Sequence, residues 1–322
     1  MNNQLSFLIP EFLLDSAELS ESDDAIFEQK GTSEEIVLLG KNASIAAKLS
    51  SSPENQPKVC LELVHLHATR DHIVLMDPSL LKITAEEELA LRTSVADTLE
   101  QFLGPAGEFY PYRWIYPAGE FSNLLMHSPS LASGLNIDIW MPKDTHTQGL
   151  AKKWRRLQNE IQMIWHDHPV NQARLERGEL SVNSVWLYGC GSTTEIAQHP
   201  LLKDVHRIFS DHLLGSSLDL RITPLSLHDV VPNTHQHHFV FSQDLKASHW
   251  EDYWNTSMAA FQKKILAQIH LYRFHQGKLQ HHMLNPNEFK RGFFKNLFTK
   301  NKKHFPAWLE YSKKIHWTEY NE

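Results

Sequence analysis

Residues 154 to 191, WRRLQNEIQMIWHDHPVNQARLERGELSVNSVWLYGCG, limit the fold more than any other part of this chain. Trp154, Leu157, Ile161, Ile164 and Trp165 recur at spacings of three and four, which places them on one helical stripe. Pro169 stops that helix, because the residue before a proline is pushed out of the α region. A second short helix from Pro169 carries Asn171 and Arg174 three residues apart on one face, and Gly178 suits its C-terminal cap. Val182 to Tyr188 is short, apolar and rich in β-branched and aromatic residues, which predicts a buried strand. Gly189-Cys190-Gly191 is then expected as a turn at the strand's C-terminal end, the edge where open α/β sheets hold ligands.

The remainder reads as α/β without an internal repeat. Strands are predicted at Leu5–Ile9, Ile36–Leu39, Val59–Leu66 and Ile73–Met76, with an acidic loop or surface helix between the first two. Thr84 and Glu87 have the spacing of a capping box, predicting a helix that runs to Phe102 or Leu103 and stops at Gly104-Pro105. Further on, Pro200–Leu214 reads as a helix, and Leu218–Ile222 and Phe239–Phe241 as strands. The stripe Trp250, Trp254, Met258, Phe261, Ile265, Ile269 and Tyr272 reads as one long amphipathic helix. The stretch 104–150, rich through residue 135 in Gly, Pro, Ser and aromatic residues, is either a long connection or a small inserted subdomain within a single α/β domain of residues 1–322.

Composition excludes several classes of protein. A chain of 322 residues with 41% hydrophobic content buries a substantial core. Its net charge of -7 argues against a nucleic-acid-coated surface. Cys60 and Cys190 lie far apart in apolar segments, so reduced thiols are expected rather than a disulfide framework. No apolar run approaches a membrane span, and the N-terminus lacks the basic region of a signal peptide. These features together predict a cytoplasmic protein.

Candidate binding residues concentrate in the opening stretch. His168, Asn171, Arg174 and Asn183 could hold an anionic or hydroxylated ligand beside Gly189 and Gly191, with Arg offering a charge-assisted fork and the turn its backbone N–H groups. The same residues could instead tie a polar corner to the strand through buried hydrogen bonds. Histidine is abundant, at 21 residues. His65/His67, His166/His168, His235/His237/His238 and His281/His282 suit metal ligation chemically, but none reproduces a specific zinc spacing. Residues 289–305 interleave Lys290, Arg291, Lys295, Lys300, Lys302 and Lys303 with phenylalanines. This segment reads either as an amphipathic helix or as a dock for an acidic macromolecule, and self-association stays open.

The run HPVNQARLERGELSVNSVWLYGCG resembles a segment of the archaeal-type cofactor-independent phosphoglycerate mutases. Together with Trp140-Met141-Pro142, the Trp154 helix and Asn159-Glu160, it more closely resembles the proteobacterial family of RpfE-type regulatory proteins. The resemblance implies the alkaline-phosphatase-like fold, a mixed or parallel sheet flanked by helices. It also implies a centre of two divalent metals and a phosphorylated serine. Glu11 stands where the mutases carry the metal-binding aspartate of a P-D-G motif. Asp244 and His249 are the nearest match to an aspartate and histidine four residues apart, but are separated by five. The mutases' serine motif has no counterpart, and Ser79 reads as a strand-end turn residue. The expectation is therefore a degenerate catalytic centre that needs no cofactor, in a regulatory protein binding a small anionic metabolite. The alternative is a divergent phosphomutase or phosphohydrolase using Mn or Zn on Glu11, Asp244 and His249.

Overall fold

The structure, a computed structural model, describes residues 3–9, 29–105, 107–210, 212, 214–224, 226–227, 229–232, 235–241, 247–275, 278–284 and 315–320, without the side chains of 247–251 and 275. Its elements in chain order are β1 (Gln4–Ile9), α1 (Ser33–Leu39), α2 (Ile45–Leu49), β2 (Lys58–Val64), β3 (Leu66–Ala68), β4 (Ile73–Leu75), α3 (Ala85–Ser94), α4 (Ala96–Leu103), β5 (Glu108–Tyr110), β6 (Arg113–Pro117), β7 (Leu124–Leu125) and α5 (Pro129–Ala132). There follow β8 (Lys143–Asp144), α6 (Leu150–His166), α7 (Pro169–Glu176), β9 (Ser184–Gly191), β10 (Arg207–Phe209), β11 (Ile222–Thr223), β12 (His237–Phe241), α8 (Ala247–Gln262), β13 (Gln268–His275), β14 (Lys278–Met283) and β15 (Thr318–Glu319). The fold is mixed α/β, and the chain divides into two compact units, Met1–Ile26 with His199–Glu322, and Phe27–Gln198.

The first unit is built on a sheet in the order β11-β10-β12-β1-β13-β14-β15. Pairing is parallel from β11 to β13 and antiparallel for β14 and β15. Side chains alternate across a strand. Leu5, Phe7, Ile269 and Leu271 therefore share one face, where they pack with Tyr253, Trp254, Met258 and Phe261 of α8. The other face carries Ser6, His237, Phe239, His270, Tyr272 and His281, and the rings of β12, β13 and β14 contact one another there.

The second unit holds an antiparallel sheet ordered β5-β6-β2-β9. The predicted stripe of α6 packs on it: Trp154, Leu157, Ile161 and Trp165 are all fully buried, and Trp165 meets Trp114 of β6 edge to face at 6.1 Å. Ile164 departs from that stripe, at 38% exposure. Glu62 of β2, Arg113 of β6 and Tyr188 of β9 form a buried polar trio. Arg113 donates two hydrogen bonds to the Glu62 carboxylate at 2.9 and 3.1 Å, and the Tyr188 hydroxyl donates to the same carboxylate at 2.6 Å. Residues 104–150 contribute β5 and β6 to this sheet, with β6 in its interior.

Local readings hold where chemistry is local. Thr84 and Glu87 form the predicted capping box, and Gly104 closes α4 with φ of 85°. Several readings need correction. The helix from Thr84 breaks at Val95 into α3 and α4, and of the strand read at Leu218–Ile222 only Ile222 lies in β11. Ile36–Leu39 lies in helix α1, started by a capping box between Thr32 and Glu35. Pro200–Leu214 is not a helix through its length: a single tight turn at Pro200–Leu202 leads to β10, which pairs with β12. The long helix ends at Gln262, after which Lys264 turns left-handed with φ of 59°. Ile269 and Tyr272 then join β13, because pairing with β1 and β14 outweighs an apolar spacing that fits a helix equally well. Finally, Gly189-Cys190-Gly191 does not follow the strand but belongs to it.

Candidate functional site

The glycines of β9 make the site. Cys60 pairs with Tyr188 and Lys58 with Gly191, so β9 carries one residue more than β2 between these pairs. That is a β-bulge, and Gly189 absorbs it with φ of 65°, a conformation that costs a side-chain-bearing residue strain. Close approach adds a second demand. A Cβ on Gly189 would lie 3.1 Å from Ile45 Cβ, and one on Gly191 only 2.0 Å from Ser44 Oγ. The bare backbone of the bulge is thereby seated against the start of α2. Ser44 Oγ is buried there with no hydrogen-bond partner among the described residues.

A cavity of about 90 Å³ opens beside the bulge, lined by Lys30, Asn42, Gly189, Cys190, Gly191 and Glu195 among others. The charged and amide-bearing lining residues are each held by local structure. Lys30 precedes the capped start of α1, and its carbonyl accepts from Ser128 N–H at 2.8 Å. Asn42 sits in the bend between Gly40 and Ala43, both at positive φ. Glu195 ends a short turn whose capping box lets its Oε2 accept from Ser192 N–H at 2.6 Å and Ser192 Oγ at 3.1 Å. Ala197 N–H then donates to Leu39 O at 3.1 Å, tying this turn to the end of α1.

The charges are linked through one amide. Lys30 Nζ donates to Asn42 Oδ1 at 3.0 Å, and Asn42 Nδ2 donates to Glu195 Oε1 at 3.0 Å. Among the described residues Lys30 makes no ion pair with a carboxylate, so its ammonium keeps donors available to the cavity. Burial pushes the Cys190 thiol up to about 11, outweighing the opposite pull of Lys30. Cys190 is therefore a neutral wall of the cavity at physiological pH, not a nucleophile.

Of the residues singled out from sequence, Gly189 and Gly191 line this cavity, whereas His168, Asn171, Arg174 and Asn183 gather at the opposite end of β9. Their polar atoms are engaged within the chain. Arg174, 1% exposed, donates from Nε to Leu180 O at 2.7 Å, from one terminal nitrogen to Glu87 at 2.6 Å, and from the other to Leu81 O. Asn171 donates to Trp165 O and Val182 O and accepts from Val182 N–H, each at 2.8 Å. Asn183 exchanges hydrogen bonds with the backbone of Leu66 at 2.8 and 2.9 Å, and His168 caps α7 by accepting from Val170 N–H at 3.2 Å.

Lys30, Asn42 and Glu195 escaped the sequence reading. One signal was present: Ser192-Thr193-Thr194-Glu195 has capping-box spacing directly after the glycines. Glu11, Asp244 and the side chain of His249 lie outside the described residues, as does the basic segment 289–305. Among the described residues no group of three His, Cys, Asp or Glu side chains is placed to hold a metal ion. No helix among them is long and apolar enough to cross a membrane.

No protein-family model matches the chain. A Geobacter sulfurreducens protein described as a probable 2,3-bisphosphoglycerate-independent phosphoglycerate mutase is 27% identical over 139 residues, 42% of this chain. The match spans 34% of that protein's length. Among solved structures, the cofactor-independent phosphoglycerate mutase of Thermoplasma acidophilum aligns with a TM-score of 0.34 at 12% identity, over 85% of this chain and 87% of that one. The PH0037 protein of Pyrococcus horikoshii aligns with a TM-score of 0.35 at 8% identity, over 84% and 82%. The chain is thus distantly similar in sequence to a phosphoglycerate mutase.

Proposed function

We propose that this chain is a phosphoglycerate-mutase-like protein of the alkaline-phosphatase-like superfamily with a degenerate catalytic centre, and that it acts in the cytoplasm as a regulator by binding a small anionic metabolite. The observation that carries this reading is the Lys30 ammonium in the cavity beside Gly189 and Gly191, held by a neutral amide. A lysine so placed offers an anion a charge-assisted hydrogen bond. His168, Asn171, Arg174 and Asn183 serve that site from a distance, by fixing how the chain enters β9.

Binding to the folded chain alone raises stability by mass action, by about 2.7 kcal/mol at one hundred times the dissociation constant. Small carboxylates are expected to raise the melting temperature, and Lys30→Met to abolish the rise without altering the unliganded midpoint. An equal rise in Lys30→Met would remove Lys30 from the site and the reading with it.

The similarity to the Geobacter sulfurreducens protein favours a second reading, a metal-dependent phosphomutase using Mn or Zn on Glu11, Asp244 and His249. Phosphoryl transfer of that kind needs cations to steady the attacking and leaving oxygens and a serine to accept the group. This chain departs from the mutase pattern at each of those positions. The purified protein is expected to contain no stoichiometric Mn or Zn and to leave 3-phosphoglycerate unconverted. Tightly held metal and mutase turnover, both lost on Asp244→Ala, would establish the enzyme instead.

A further inference from the structure

We infer that the ligand of the Lys30 cavity is a small zwitterion of the α-amino-acid class, an inference that rests on the anion-binding reading above and narrows it. An ammonium only donates hydrogen bonds and an ionised carboxylate only accepts them. Asn42 therefore presents its carbonyl to Lys30 and its amino group to Glu195, both at 3.0 Å, and no other orientation satisfies both ends. Each end keeps capacity beyond that bond. Lys30 retains N–H groups not given to Asn42, and Glu195 Oε1 retains a lone-pair direction. Among the described residues neither is part of an ion pair. The cavity wall thus carries a cation and an anion at the two ends of the Asn42 amide, neither of them in an ion pair among the described residues.

Electrostatics then sorts the ligands. A simple anion satisfies Lys30 but brings its charge beside Glu195, and a dianionic phosphate does so more strongly. A simple cation has the converse problem. An α-amino acid carries an accepting carboxylate and a donating ammonium on one carbon, with the same polarity as the Asn42 amide, and so pairs with both residues at once. Pro57, Leu124 and Met126, with Ser122, complete the lining, and the three apolar residues suit a small apolar side chain. A cavity of about 90 Å³ holds on the order of six water-sized groups, which is the size of alanine. Glu195 is exposed and Lys30 only partly buried, so solvent screening keeps the affinity modest, on the order of millimolar.

L-alanine, L-lactate and propionate differ at one substituent, an ammonium, a hydroxyl or a hydrogen. Titrated into the full chain and followed by melting temperature and NMR shifts, alanine is expected to bind about tenfold more tightly than the other two. Glu195→Gln, which removes the charge at nearly constant shape, is expected to erase that preference while leaving propionate bound, and Lys30→Met to abolish all three responses. Alanine binding no more tightly than propionate would overturn the zwitterion inference and leave anion binding standing, whereas no response to any of the three would overturn both. The preference is measured on the unmodified chain, so a variant that fails to fold does not remove the test.

Discussion

Lowering the pH from 6.5 to 4 is expected to destabilise the sheet that carries His237 and His270, while a change from 6.5 to 8 leaves it unaffected. Ser6, fully buried on β1, lies between these histidines, and its Oγ is 2.7 Å from His237 Nε2. His270 Nδ1 stands 2.9 Å from His281 Nε2 with the ring centroids 5.2 Å apart, a head-on arrangement in which one imidazole donates to the other. Burial first, and then repulsion from His206 and His238, lowers His237 to about 4, against a weaker opposing pull from Asp204. Burial first, and then His281 and His237, lowers His270 to about 4 as well.

The unfolded chain protonates near 6.5, so below that pH it takes up protons that the folded sheet refuses. Stability is therefore full above 6.5, falls through the window, and levels off near 4 where the folded imidazoles titrate too. With partial exposure allowed for, each imidazole accounts for roughly 2 kcal/mol across the window. Hydrogen exchange of peptides covering 237–241 and 268–275, followed from pH 7 to pH 4, reads this directly. His237→Gln combined with His270→Gln should flatten the dependence. An unchanged slope in that double variant would show that other groups control it.

The second large effect is structural. Arg174→Ala is expected to lower the unfolding free energy by about 2–4 kcal/mol, because two backbone acceptors lose their donor at about 1–3 kcal/mol each. Arg174 is 1% exposed and joins Glu87 of α3 to the carbonyls of Leu81 and Leu180, so its loss leaves both carbonyls without that donor, while Glu87 keeps Arg177 at 2.6 Å. Arg174→Lys should recover only part of this, because a point charge cannot replace the fork. Urea unfolding monitored by the buried tryptophans of the second unit measures both variants. A loss below about 1 kcal/mol for the alanine variant would mean that water replaces the missing donors, which is the usual behaviour of a surface pair.

These two effects fall on residues that differ in how far sequence alone reveals them. Asn171, Arg174 and Asn183 stand out because a proline, a cap and a helical spacing are all local features, and the short segments they order need their backbone groups satisfied. The α6 stripe and the capping box at Thr84 were legible for the same reason. The sequence by itself therefore determined α6, α7 and the strand that follows, and marked Gly189 and Gly191 as unusual. It did not determine that the strand runs through those glycines as a bulge, since the bulge exists only relative to β2, more than 120 residues earlier. Nor did it distinguish helix from strand at Ile269 and Tyr272, where pairing with β1 decided the outcome. The cavity lay furthest from view. Asn42 and Glu195 are 153 residues apart, and no local pattern records that they meet. Only the packing of α2 against β9, with the Ala197 bond to the end of α1, brings the two together, because a contact between distant segments is set by which strands pair and by what the glycine backbone leaves room for.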